Sequence, residues 1–106
     1  YWDLVPDLVK SLKKSKSKGM GHSGELETSL MLHLAPHLVI QQAIPKGVLG
    51  VEEEGPMEGI KRYVNMKEHS EQGVIGMPSA ANAEIGAQLY QGALNALQKA
   101  IRALQA

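Results

Sequence analysis

Apolar and polar positions fall into three helical registers along this 106-residue chain, separated by stretches with no helical period. The clearest register is C-terminal. From about residue 80 to 104, Ile85, Leu89, Ala93, Leu94, Leu97, Ile101 and Leu104 recur on one side, and Glu84, Gln88, Gln91, Asn95, Gln98 and Arg102 on the other. This predicts a long amphipathic helix with a wide apolar arc, the form expected of a helix covering a sheet. A second helix is predicted to start after Ser23, its expected N-cap, and to end near Leu34. At roughly 100° per residue its apolar stripe is Leu26, Leu30, Met31, Leu34 and Leu38. Glu27 falls near the middle of that stripe, and Glu25 roughly opposite, toward solvent. A third, short helix is predicted over Asp7 to Leu12, entered after Pro6.

The rest reads as strands and connections. Tyr1 to Leu4 resembles the end of a strand. Val39-Ile40, Ala43-Ile44 and Val48 to Val51 are brief extended pieces, and Ile60 to Met66 alternates loosely like an edge strand. Gly73 to Gly76 leads into a tight turn at Met77-Pro78-Ser79. Few strands beside strongly apolar helix faces imply an α/β class, with residues 1–106 as the C-terminal portion of one domain and most strands supplied by other residues. The opening Tyr1-Trp2-Asp3, without an initiator methionine, fits a fragment or a processed chain.

Composition narrows the partners. Eleven basic residues balance eleven acidic ones, so charge gives no argument for nucleic acid or an anionic membrane. There is no cysteine, which excludes disulfides and thiolate metal sites. No apolar run approaches the ~20 residues that span a bilayer, and no signal-peptide pattern is present. A cytoplasmic location is expected.

Three motifs are set aside. Gly19, Gly21 and Gly24 spell G-x-G-x-x-G, but a lysine-serine run precedes them where a dinucleotide site needs a strand. His33 and His37 have metal-ligand spacing on a helix, but Pro36 stands between them and should end the helix first. Lys10 to Lys18 reads as a solvated helix end running into a mobile loop, and His69 as an exposed side chain. What remains is a loop histidine, His22, turned by glycines, and Glu27. A carboxylate on a buried face is costly unless paired or hydrogen-bonded. Its partner is expected to be either His22 or the backbone N–H groups of the loop.

The stretch GHSGELETSLMLHLAPHLV resembles the histidine-glycine-glutamate-threonine-serine signature of the creatininase family of metal-dependent amidohydrolases. Tyr1-Trp2-Asp3 resembles the strand-end motif upstream of that signature. Gly73 to Gly76, Pro78 and the long last helix resemble its closing segment. The resemblance implies a three-layer α/β/α fold, assembly as a homo-oligomer (commonly a hexamer), and hydrolysis of amide or cyclic-amide C–N bonds with two divalent metal ions, zinc or manganese. It also implies that His22 is the acid/base near the leaving nitrogen, that Glu27 orients His22 or the adjacent backbone, and that Trp2 packs on bound substrate. The family's metal-ligand motifs lie upstream of Tyr1, so an N-terminal segment is expected to supply the metal ligands, and none is assigned here. Creatininase-type clamps carry a second tryptophan four residues before the histidine, where this chain has Lys18, which favours a different small-molecule amide. The competing expectation is a non-catalytic assembly or binding domain that keeps the fold.

Overall fold

The computed structural model describes residues 2–16, 20–48 and 65–106. Its helices are α1 (Pro6–Leu12), α2 (Glu25–Leu34), α3 (Met66–His69) and α4 (Ala83–Gln105), with short 3-10 turns at Trp2–Leu4, Pro36–Leu38, Gln41–Ala43 and Pro78–Ala80. α1 starts on a proline, whose fixed φ suits a first helical position and whose missing N–H costs nothing there. α4 starts where the Asn82 side chain accepts a hydrogen bond from Ile85 N–H at 2.9 Å.

The core lies where α2 crosses α4. Leu26, Ile85 and Leu89 are buried, and Leu8, Val9, Leu12 and Met20 close around them. The two helices approach closely because small residues face each other. A Cβ on Gly86 would overlap the carbonyl oxygen of Ser29 and lie 2.9 Å from the His33 Cβ. The buried Ser29 hydroxyl donates to the Glu25 carbonyl at 2.6 Å and accepts from the Asn82 N–H at 3.0 Å, tying the start of α4 to the middle of α2. Ser29→Ala leaves that N–H without its acceptor, and is expected to destabilise the protein by about 1–3 kcal/mol. A lowered urea midpoint at constant slope would report it.

Several expectations are corrected. Residues 2–4 form a 3-10 turn beside α4, not the end of a strand. A 3-10 turn over Gln41–Ala43 takes in Ala43, which was expected to be extended, whereas Val39 and Ile44 keep extended backbones without forming strands. Residues 49–64 lie outside the described structure, and with them most of the strand expected over 60–66; Met66 itself opens α3. The described residues are mostly helical and contain no strand, only two isolated antiparallel bridges, His22 with Ile75 and Val48 with Gly76. Within the described residues the last helix packs on α2. His69 is half-buried, not exposed.

The buried face of α2 also differs from the predicted stripe. Its buried residues are Glu25, Leu26 and Ser29. Met31, Leu34 and Leu38 are 41%, 50% and 66% exposed. The close approach of Gly86 to the Ser29 main chain sets which face of α2 meets α4, and it brings Leu26 into the core.

Candidate active site

His22 sits between two residues with left-handed backbones, Gly21 at φ 69° and Ser23 at φ 50°. Its backbone is locked in place by Ile75: His22 N–H donates to the Ile75 carbonyl at 2.7 Å, and Ile75 N–H donates back at 2.8 Å. Only glycine fits at position 21, since a Cβ there would overlap the same Ile75 carbonyl. The next residue pair holds a second loop to the same segment, with Val48 N–H donating to the Gly76 carbonyl at 2.9 Å and Gly76 N–H donating back at 2.6 Å. The double reversal pushes His22 outward, and its exposed imidazole lines an open pocket of about 660 Å³.

Glu27 lines the same pocket. Its Oε2 accepts the Ser23 N–H at 2.6 Å, and the Thr28 hydroxyl donates to the Ser23 carbonyl at 3.3 Å. Of the two partners expected for Glu27, the structure shows the backbone one. The short bond to a carboxylate offsets the roughly 1–2 kcal/mol that a non-glycine left-handed residue costs. Ser23 is accordingly not the helix cap. Gly24 occupies the N-cap position without a side-chain bond, and Glu27, in the first turn, reaches back past it.

Away from the polar corner of His22, Ser23, Glu27 and Thr28, the pocket wall is apolar, drawn from α2, from the 38–45 segment, and from Val74 and Pro78. Trp2 is less informative: its backbone lies in the first 3-10 turn, and its side chain falls outside the described structure. Lys18 also lies outside it. α2 ends at Leu34, so His33 and His37 stand on different elements; His33 packs against the Tyr90 ring at 5.8 Å between centroids.

Sequence reasoning missed Glu25. It was expected in solvent, yet it is 2% exposed. Its two oxygens accept the N–H groups of Lys14 and Ser15 at 2.8 and 2.9 Å. Partial burial pushes the neighbouring Lys13 ammonium below the usual lysine range, and the Glu25 carboxylate opposes that shift. The signal available in the sequence was the pair of small residues, Ser29 and Gly86, which mark the true crossing face.

Comparison with known proteins decides the class, because residues 1–101 match the family model described as Creatininase: Creatinine amidohydrolase. The chain belongs to the creatininase family. No curated protein and no solved structure matches it. Creatininase-family membership suggests a metal-dependent amidohydrolase. Among the described residues, however, no three histidine, aspartate or glutamate side chains converge to hold a metal ion. The described residues do not fit a metal centre, and what this creatininase-family chain brings to the pocket is an imidazole and its bracing. Among them, no helix is long and apolar enough to cross a membrane.

Proposed function

We propose that this chain is the C-terminal portion of a creatininase-type amidohydrolase acting on a small-molecule amide or cyclic amide. His22 serves as its acid/base. The observation that supports this most is the strained, braced presentation of one exposed imidazole at a pocket mouth. Backbone strain of this kind persists only where surrounding bonds over-determine it, and it clusters at functional sites. An imidazole ordinarily titrates near neutrality, which suits it to hand a proton to the leaving nitrogen as the C–N bond breaks. Glu27 positions it by fixing the peptide that follows. Trp2 is proposed as a substrate contact on the family resemblance alone.

The divalent metal ions, zinc or manganese, are proposed to be held by a segment outside this chain, within the family's three-layer α/β/α domain. They supply Lewis-acid activation when bound. The exposed apolar side chains Met31, Leu34, Leu38 and Ile40 support cover by that segment or by further copies in a homo-oligomer, a hexamer by family resemblance. A cytoplasmic location belongs to the same proposal.

The test is hydrolysis of a panel of creatinine, other cyclic amides and formamides by the intact protein, before and after treatment with a chelator. At least one amide is expected to be hydrolysed, with activity lost on chelation and restored by zinc or manganese. A metal-loaded intact protein that hydrolyses none of them would favour the non-catalytic assembly domain instead.

A further inference from the structure

Resting on the reading of His22 as the acid/base, we propose that Glu25 is a second positioning residue of the site, acting from the interior to fix where the His22-bearing loop begins. Glu25 and Glu27 both belong to the first turn of α2 and point different ways. Glu27 grips the peptide just after His22, closing a span of four residues. Glu25 grips two consecutive peptide N–H groups, those of Lys14 and Ser15, closing spans of 11 and 10 residues. The loop that carries His22 is thus held at both ends by one helical turn.

The chemistry of the Glu25 contact is specific. A buried carboxylate is costly unless its acceptors are used, and here both oxygens are used by main-chain donors. An apolar side chain of similar volume would fill the space without holding anything. Two adjacent N–H groups aimed at one carboxylate fix the direction of the chain as well as its position. The positive end of α2 favours both acids in the same turn. Lysines surround the gripped peptides, with Lys10, Lys14 and Lys16 exposed. Release of the grip would therefore present a protease-sensitive segment.

The experiment compares wild type, Glu25→Gln and Glu25→Asp in the intact protein. Glutamine keeps the shape but sets an NH₂ group against one of the two N–H donors. Loop release is read by tryptic cleavage after Lys13, Lys14 and Lys16. Placement of the imidazole is read by the rate at which diethyl pyrocarbonate modifies His22, mapped by peptide mass with His37 as internal reference. Glu25→Gln is expected to raise cleavage roughly tenfold, as losing one bond to a charged acceptor would. It should change the His22 rate severalfold, leave His37 unchanged, and lower kcat on a hydrolysed amide with KM little altered. Glu25→Asp, which keeps both acceptors on a shorter stem, should fall between. If the glutamine variant does not fold, the aspartate variant must still show both changes in smaller degree. A released loop with wild-type His22 reactivity and kcat would overturn the proposal, as would wild-type cleavage. His22→Ala with full activity would instead refute the acid/base reading and leave the loop measurement standing.

Discussion

Replacing His22 with alanine is expected to lower kcat on the hydrolysed amide by about 10²–10⁴-fold, the usual contribution of a positioned proton-transfer group. The thermal midpoint should stay near wild type, because the imidazole is exposed and its loop is fixed by main-chain bonds to Ile75 that alanine retains. Loss of rate without loss of stability separates chemistry from scaffolding. Free imidazole added to His22→Ala should restore part of the rate, since the truncated side chain leaves an opening onto the pocket. Glu27→Gln makes the informative contrast. It weakens the Ser23 N–H bond that sustains a left-handed serine, so it should lower stability, which His22→Ala leaves near wild type, and lower the rate by less than His22→Ala does. Steady-state kinetics beside a melting curve for each variant reads both quantities. Retention of wild-type kcat by His22→Ala would remove His22 from the reaction.

The site was more legible in the sequence than the fold. The loop histidine, the glycines around it and the need for a partner to Glu27 all follow from local rules: glycine at special backbone angles, and the cost of a carboxylate beside apolar groups. Those rules act within a few residues, so they survive whatever the rest of the domain does. Which face of α2 is buried does not follow from α2 alone. Leu30, Met31 and Leu34 make the most apolar arc, yet the arc against α4 carries Glu25, Leu26 and Ser29. That choice is made by Gly86, some fifty residues away in the chain, where a missing side chain lets two backbones touch. Apolar periodicity measures hydrophobic area, whereas helix packing also rewards close backbone approach, and here the second effect won. The buried position of Glu25 follows from the same crossing, because the Lys14 and Ser15 peptides arrive there through α1 and its exit loop. The strands expected within this chain are absent from its described residues for a related reason. Short apolar runs such as residues 74–76 can pair only with what lies beside them, and in the described structure pairing stops at two isolated bridges, Ile75 with His22 and Gly76 with Val48.

Gly86→Ala tests that crossing directly, and is expected to be strongly destabilising. The substitution has one favourable term, since alanine in a helix interior is preferred over glycine by about 1 kcal/mol. Against it stands the overlap of the new Cβ with the Ser29 carbonyl oxygen and its 2.9 Å approach to the His33 Cβ. A carbonyl oxygen inside a helix cannot rotate away, so α2 and α4 must separate. Separation loosens the contact of Leu26 with Ile85 and Leu89 and lengthens the Ser29 to Asn82 bond. Overpacking of this kind costs about 1–3 kcal/mol, and more where backbone must move. The net loss should be about 2 kcal/mol or more, and the thermal midpoint should fall by roughly 10 °C. Gly92→Ala is the matched control on the same helix. Its Cβ would meet only the Leu8 Cδ2 methyl, the end of a flexible side chain on α1. Leu8 can change rotamer, so the helix-propensity gain should offset most of the cost. Two Gly→Ala changes on one helix are thus expected to differ in outcome for a single reason, whether the obstructing atom belongs to main chain or to a side-chain tip. Equal midpoints for the two variants would show that α2 and α4 do not meet at Ser29 and Gly86.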